Sequence, residues 1–258
     1  MTELPTSSRI SFAVHYAVRH LVLSAIVAAL SAGAVFGLMY PSPYRALLGV
    51  ASIFLLVLVV DLVCGPMLTL ILADPEKSRR ERWLDFGLIG MIQLVALIYG
   101  LHSVWAARPV VLAFEVDRLV VVTANEIDVG ELPKAPPGMR TLPTIGAMQV
   151  GVRYPLNSDE MLDSLDKEMT GLSPAMRPGW WTPWEQQITA MNARAKPLTE
   201  LIARRPQDAQ TLRDAAKAAE AEPNNLRYLP LTSNRSKEWV ALLDSQMTMV
   251  GWAPVDGF

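Results

Sequence analysis

The chain has 258 residues, of which 51% are hydrophobic and 19% are charged, and its formal net charge is −2. From Arg108 onward, 16 Lys and Arg residues are balanced by 19 Asp and Glu residues, so this part has no basic footprint for nucleic acid. The one cysteine, Cys64, lies in an apolar run, which excludes a disulfide framework and a cysteine-based zinc site from the rest of the chain.

Nearly all the long apolar runs precede residue 107, which predicts a membrane part followed by a water-soluble part. Residues 1–19 are polar, and we expect a short tail with an interfacial turn. At the end of this tail, His15 and His20 are interpreted as membrane-surface residues rather than metal ligands. A helix needs about 20 apolar residues to cross the hydrocarbon core. Three runs meet this length, at about residues 20–40, 46–73 and 84–106.

Basic residues are distributed unevenly between the two ends of these predicted spans. The tail carries Arg9 and Arg19, and residues 77–82 between the second and third spans hold four more. The positive-inside rule therefore places the N-terminus and this turn in the cytoplasm. After three spans, residues 107–258 lie outside, so we expect a multi-pass protein of a bacterial inner membrane with a periplasmic C-terminal domain.

Asp61 interrupts the second apolar run and is the main candidate for an intramembrane site. A carboxylate there costs about 2.5–3.5 kcal/mol on insertion scales, so it must face protein or water. At 1.5 Å per residue, Asp61, Gln93 and Ser31 lie roughly 15–18 Å from the cytoplasmic end of their spans. We therefore expect Asp61 to hydrogen-bond with Gln93, Ser31 or both. A role in binding a partner and a purely internal role both stay open.

Gly65 and Pro66 follow Asp61 by about one turn. Because proline has no N–H, the carbonyl of Leu62 loses its helical partner, and we predict a kink. Gly65 lies on the same helix face as Asp61 and would leave a notch beside the carboxylate. No chain of further acids and histidines runs through the spans, which argues against a proton pump or a channel.

Small residues recur every four positions in the first span, at Ala25, Ala29, Gly33 and Gly37. Stripes of this kind allow helix backbones to approach closely within a bilayer. We interpret the stripe as packing among the three helices of this protein. Docking of a partner helix is the alternative.

The pattern from residue 107 onward predicts an α+β domain with a mainly antiparallel sheet. Strands are expected at residues 109–115, 118–124, 147–154, 226–231, 239–244 and 247–253. Helices are expected at residues 157–169, 183–205 with a break at Pro197, and 207–222. Asn157 and Glu160 have the spacing of a capping box at the start of the first of these helices.

Trp180, Trp181 and Trp184 place three tryptophans within five residues, which is unusual for a solvated loop. They form a candidate aromatic surface for a partner. The alternative, which we favour, is that they pack in the core or anchor the domain at the membrane interface.

The soluble part shows no catalytic constellation. It has no histidine, no GxSxG or HExxH motif and no glycine-rich phosphate loop. We therefore expect no enzymatic activity, no cofactor and no metal. Two alternatives remain: a membrane-anchored periplasmic sensor, and a membrane-bound enzyme with a glycosidase-type carboxylate pair, which leaves no fixed spacing in sequence.

Several segments resemble the TfpX/TfpZ family of type IV pilin accessory proteins. The most specific are residues 61–70 (DLVCGPMLTL), followed by 77–80 (KSRR), and residues 114–118 (FEVDR). The resemblance extends through residues 99–100, 108–109, 228–231 and 239–244, and so covers essentially the whole chain. A departure occurs at residues 245–248 (SQMT), where a glycine is expected, and this leaves the type of the final hairpin open.

The resemblance implies a non-catalytic inner-membrane protein that binds or stabilises the major type IV pilin and promotes pilus assembly. The implied partners are the pilin, through its transmembrane helix or also its head domain, membrane lipids and other pilus assembly proteins. A pilin in the membrane has an apolar N-terminal helix with a buried glutamate near a free amine. Asp61, beside the Gly65 notch, would offer either group a polar partner.

Overall fold

The structure, a computed structural model, describes residues 6–258, with side chains from Arg9 onward. The chain forms two compact units. The helical unit contains the residues up to Met39 together with Gly49–Ala106, and the sheet unit contains Tyr40–Leu48 together with Ala107–Phe258.

The first five helices are α1 (Thr6–Ala34), which continues as a π-helix over Val35–Met39, α2 (Tyr44–Leu47), α3 (Val50–Val59), α4 (Gly65–Leu72) and α5 (Arg79–Ala106). Four of them follow the apolar runs, and the short α2 lies in the connector between the first two runs. Within residues 6–258, three helices are long and apolar enough to cross a membrane: Arg9–Met39, Val50–Leu72 and Arg79–Ala106. The prediction of three membrane-type helices is therefore confirmed.

The first helix begins earlier than predicted. Residues 1–5 of the expected tail lie outside the described residues, and from Thr6 the chain is already helical, so the expected interfacial turn is wrong there. Residues 6–19 contain no proline or glycine, and Ala13 and Ala17 are buried on one face of α1. Because these two alanines are four residues apart, they lie on the same helix face, and the helix extends to the N-terminal side of the predicted span.

The second span contains a π-helical turn, Val60–Cys64, between α3 and α4. Pro66 lies in the first turn of α4, directly after it. A π-turn is a common local response where the regular ladder of hydrogen bonds is interrupted. A kink was predicted next to Pro66. The structure has an irregularity there in the form of this π-helical turn.

The small-residue stripe of α1 does not pack against the other two helices. Ala25, Ala29, Gly33 and Gly37 are all exposed, and a Cβ added at either glycine would meet nothing within 4 Å. The interpretation of the stripe as internal packing is therefore wrong. The buried residues of α1 lie on a different face, which also offers small side chains: Ala13, Ala17, Ala28 and Ser31.

The sheet unit is built on one mixed sheet. In residues 6–258 its strands are β1 (Pro109–Glu115), β2 (Arg118–Thr123), β3 (Met148–Val152), β4 (Trp181–Pro183), β5 (Lys196–Pro197), β6 (Arg227–Thr232), β7 (Trp239–Leu243) and β8 (Met249–Ala253). Their order is β4-β3-β1-β2-β6-β7-β8, and β5 pairs with β6 outside this path.

Most neighbouring strands in the sheet are antiparallel, as predicted. The β1–β2 hairpin pairs Phe114 with Leu119, and β6–β7 pairs Leu229 with Ala241. Two pairs are parallel, β1 with β3 and β2 with β6. The short strands β4 and β5 were not expected from the sequence, because neither is long enough to show a period of two.

Four further helices pack in the sheet unit: α6 (Ser158–Met169), α7 (Ile188–Arg194), α8 (Leu198–Arg204) and α9 (Ala209–Ala218). The predicted break near Pro197 is confirmed, since α7 and α8 are separate. Leu201 of α8 and Leu212 of α9 share one buried cluster with Tyr228 and Leu242 of the sheet. The connector Tyr40–Leu48 is also held in this unit, where Ser233 Oγ donates to the carbonyl of Leu47 at 3.3 Å.

Candidate intramembrane site

The side-chain amide of Gln93 connects α5 to the second span. Gln93 Nε2 donates to the main-chain carbonyl oxygen of Asp61 at 2.9 Å. In the π-helical register, the carbonyl of residue 61 would pair with the N–H of residue 66, which is a proline and has none. Gln93 therefore supplies a donor that the helix itself lacks. The sequence predicted a carbonyl without a helical donor at Leu62, whereas the carbonyl that Gln93 bonds is that of Asp61.

The other end of the same amide contacts the first span. Gln93 Oε1 lies 2.6 Å from His20 Nε2, and His20 Nδ1 lies 2.6 Å from Thr69 Oγ1. Because Gln93 Oε1 can only accept, His20 Nε2 donates, and a neutral ring then accepts from the Thr69 hydroxyl through Nδ1. One polar cluster, formed by His20, Asp61, Thr69 and Gln93, thus joins the three membrane-type helices.

His20 and Thr69 were missed as members of this cluster. His20 was placed at the membrane surface because the helix was expected to begin near residue 20. Since α1 begins at Thr6, His20 lies fourteen residues, roughly 21 Å, into the helix. For Thr69, the signal was the four-residue spacing of Asp61, Gly65 and Thr69, which are all buried on one helix face.

Gly65 is needed for the amide to reach the second span. A Cβ built on Gly65 would lie 2.2 Å from Gln93 Nε2 and 2.6 Å from Gln93 Cδ. Any larger residue would therefore collide with the side chain that bonds Asp61. The notch predicted beside Asp61 exists, but the Gln93 amide fills it.

The carboxylate of Asp61 has no hydrogen-bond partner among the described residues. The residue is 7% exposed, and its Oδ1 is buried and has no hydrogen-bond partner. The expected hydrogen bond between Gln93 and Asp61 is present, but its acceptor is the main-chain carbonyl of Asp61 and not the carboxylate. Ser31 is buried, but none of the hydrogen bonds in the described residues joins it to Asp61.

A cavity of about 280 Å³ opens beside this carboxylate. Its wall contains Asp61, His20, Ser24 and Gln93, and the remaining lining is mainly Leu and Val from α1 and α5. An ionised carboxylate is an acceptor only, and an unpaired one in apolar surroundings is costly. The site is therefore suited to a hydrogen-bond donor or a cation that enters from outside the unit.

The three tryptophans do not form an exposed surface. Trp180, Trp181 and Trp184 are all buried in the sheet unit. Trp181 Nε1 donates to the carbonyl of Ala175 at 2.9 Å, and the Trp180 ring lies 4.6 Å and 4.8 Å from the guanidinium carbons of Arg153 and Arg177. The three rings therefore pack in the core, which is the interpretation favoured from the sequence, and the aromatic-surface prediction is wrong.

No group of three or more His, Cys, Asp or Glu side chains in residues 6–258 is arranged to hold a metal ion. The hydrogen bonds of the polar cluster join the His20 ring, the Thr69 hydroxyl, the Gln93 amide and the main-chain carbonyl of Asp61.

Comparison with known proteins identifies relatives of this chain. A family model described as "Fimbrial assembly protein FimB" matches residues 8–49. The serogroup I fimbrial assembly protein of Dichelobacter nodosus is 37% identical over 254 residues, which is 97% of this chain and 98% of that protein. The serogroup E1 protein of the same organism is 36% identical with the same coverage.

A shorter relative, the fimbrial assembly protein of Dichelobacter nodosus serogroups C1 and C2, is 42% identical over 127 residues, which is 49% of this chain and 97% of that protein. No solved structure matches this chain. The near full-length relatives agree with the type IV pilus accessory class that the motifs of the chain resemble. The chain belongs to the family of fimbrial assembly proteins.

Proposed function

We propose that this protein is an inner-membrane accessory protein that binds the major type IV pilin and keeps it available for pilus assembly, without catalysing a reaction. A role in pilus assembly follows from the family. Pilin binding, the location in the inner membrane and a periplasmic sheet unit belong to the proposal.

The observation that carries the proposal is the unpaired Asp61 carboxylate at the wall of a cavity in the helical unit. Gln93 is held by the main-chain carbonyl of Asp61 and by His20, so this carboxylate is not used to hold Gln93 in place. Intramembrane acids face protein or water and commonly mark a functional site. A donor from a second helix would remove the cost of the unpaired oxygen.

The amine of a pilin helix would supply the hydrogen-bond donor that the Asp61 carboxylate lacks. An ammonium group donates to a carboxylate in a charge-assisted hydrogen bond, which is stronger than a bond between neutral groups. Since the Asp61 carboxylate can only accept, the pilin amine fits it better than the pilin glutamate does. The apolar lining of the cavity would contact the apolar residues of the same helix.

The test is Asp61→Asn. The amide keeps the size of the side chain but removes the charge, so we expect roughly tenfold less pilin to co-purify in mild detergent, and a lower steady-state level of pilin. Cys64→Ser is the matched control, because Cys64 is an exposed residue on the same helix and the change is nearly isosteric. Equal recovery of pilin with Asp61→Asn and with the unchanged protein would show that the carboxylate does not contact the pilin.

A further inference from the structure

Helix α6 of the sheet unit is packed with its apolar side outward. Four of its apolar residues are exposed. The exposed fraction is about half at Met161 and Leu165, 65% at Leu162 and 88% at Met169. In an ordinary amphipathic helix the apolar stripe faces the core and the charged residues face water. The polar side of α6 therefore faces the sheet unit, and its apolar side is largely exposed.

The polar side of α6 explains this orientation. Ser164 is buried, Asp163 accepts from Arg177 at 2.9 Å, and Glu160 accepts from Arg153 at 2.7 Å. Lys167 Nζ adds a contact of 3.8 Å to the buried Glu131. Because these charge pairs hold the polar side against the unit, the apolar side is fixed in an outward position.

The exposed apolar residues continue beyond the helix. Tyr154 and Leu156, in the loop before α6, line a cleft of about 630 Å³ together with Met161 and Leu162. A second cleft of about 270 Å³ brings Val116 next to Tyr154, Met161 and Leu165. We call this surface the α6 ridge; it consists of Val116, Tyr154, Leu156, Met161, Leu162, Leu165 and Met169. A contiguous exposed patch of this kind marks an interaction site.

The charge at the border of the α6 ridge is negative. Asp159 and Asp166 are exposed three residues before and four residues after Leu162, and Glu168 lines the second cleft beside Leu165. The basic residues nearby are already engaged, since Lys167 is paired with Asp163 and Glu131, and Arg153 with Glu160. An occupant therefore meets an apolar surface with uncompensated carboxylates at its edge.

We propose that the α6 ridge docks a protein segment that presents apolar side chains flanked by Lys or Arg. Methionine and leucine adapt to different apolar shapes, and the acidic border selects a basic partner by charge complementarity. A second copy of the chain would oppose its own carboxylates across the contact, and an anionic bilayer would be repelled. This surface is separate from the Asp61 cavity, so the inference does not rest on the proposed pilin contact.

The binding test uses the full chain in nanodiscs of zwitterionic lipid and two designed amphipathic helical peptides as probes. Both peptides carry the same leucine face; one is flanked by lysines and the other by glutamates. Empty nanodiscs measure the lipid binding of each peptide, which is subtracted. We expect the lysine peptide to bind at least tenfold more tightly than the glutamate peptide, with an affinity that falls as salt is added.

Three variants locate the binding site. Leu162→Ser combined with Leu165→Ser should weaken binding of the lysine peptide at least tenfold, and Asp166→Lys combined with Glu168→Lys should favour the glutamate peptide. Ile145→Ser is the control, because Ile145 is an equally exposed apolar residue (63%) outside the ridge. All the changed side chains are exposed, and unchanged thermal unfolding confirms that each variant is folded. Equal binding of both peptides, or equal effects of the ridge and control variants, would overturn the proposal.

A lipid partner is tested separately. A fluorophore is attached to a cysteine at position 162 in a Cys64→Ser protein, and its quenching by brominated lipids is measured in zwitterionic and in anionic nanodiscs. We expect no quenching in either. Strong quenching in the absence of peptide would show that the ridge lies in the bilayer, which would overturn the docking of a protein segment.

Discussion

Gln93 satisfies groups on two other helices with one side chain. Its Nε2 donates to the carbonyl of Asp61, and its Oε1 lies 2.6 Å from His20 Nε2. An amide can do this because it has a donor and an acceptor on one planar group. Inside hydrocarbon no water is present to replace either bond, so the stability of the helical unit depends on where this amide sits.

Gly65→Ala tests that dependence. The new Cβ would lie 2.2 Å from Gln93 Nε2, so the amide must move and its bond to Asp61 is lost or weakened. We expect the free energy of unfolding of the helical unit to fall by about 1 kcal/mol. Gly87→Ala is the control, since a Cβ there meets nothing within 4 Å and gains the same helix propensity. Denaturant unfolding in micelles should separate the two variants; identical midpoints would contradict the role given to Gly65.

Glu160 predicts a pH dependence in the sheet unit. The hydrogen bond from Arg153, and next the one from the N–H of Leu156, lower the pKa of Glu160 from 4.5 to about 2. Because the folded state favours the charged form, this contribution to stability is present above about pH 4.5 and is lost as the pH falls through about 2. Glu160→Gln should flatten the fall of the unfolding midpoint in that window, measured by thermal unfolding of the full chain in micelles. Asp159→Asn, on the exposed side of the same turn, should keep the original slope; a Glu160→Gln protein with that slope would contradict the assignment.

At the scale of elements, α6 is oriented by Arg177. This side chain is buried, contacts Asp163 of α6 at 2.9 Å and Glu131 at 3.4 Å, and lies over the ring of Trp180. It therefore joins the helix, the buried acid and the aromatic core at one point. Removing it would leave the Glu131 carboxylate buried without its most buried cationic neighbour.

Arg177→Ala should lower the free energy of unfolding of the sheet unit by about 3 kcal/mol, because breaking a buried ion pair strands the remaining charge. Amide hydrogen exchange in α6 should also accelerate. Lys134→Ala is the matched control: Lys134 lies 4.0 Å from the same Glu131 oxygen but is 68% exposed, and its loss should cost less than about 1 kcal/mol. Equal losses of stability would mean that burial of Arg177 adds nothing to the pair.

Local pattern predicts the elements better than it predicts what they face. The β1–β2 hairpin and the start of α6 at Asn157, whose side chain accepts from the N–H of Glu160, follow from alternation and capping residues that are close in sequence. The outward side of α6 does not follow, because Arg177 and Glu131, which hold it, are distant in sequence from most of the helix. Strand β4 was missed for the same reason, since three residues become a strand only by pairing with β3.

The candidate site, too, could be predicted only in part from the sequence. Depth along the spans correctly placed Gln93 level with Asp61, because the rise of a helix is nearly constant. It did not show which atom Gln93 would reach. That depends on the π-turn, which leaves the carbonyl of Asp61 without a helical donor. His20 was missed because its position depends on where α1 begins, and helix ends are the least predictable part of a pattern.

At the scale of the whole molecule, the two units present different surfaces. Large apolar side chains such as Leu30, Leu56 and Leu88 are exposed on the three long helices, whereas the strands of the sheet unit bury theirs. Exposed leucines along entire helices suit a hydrocarbon environment and not water. The basic turn containing Lys77 and Arg79 connects two of these helices, and this asymmetry sets the expected orientation.

Labelling with a membrane-impermeant thiol reagent in intact cells tests this orientation. In a Cys64→Ser protein, a single cysteine replacing Lys237, in the sheet unit, should react without lysis, and one replacing Ser78, in the basic turn, should react only after lysis. The expected difference follows from the Lys and Arg residues that the positive-inside rule retains in the cytoplasm. Each cysteine must react in lysed cells, which controls for folding and access. If position 237 does not react in intact cells, the sheet unit lies in the cytoplasm. The proposed periplasmic location would then be wrong, and the sheet unit could not reach the pilin heads.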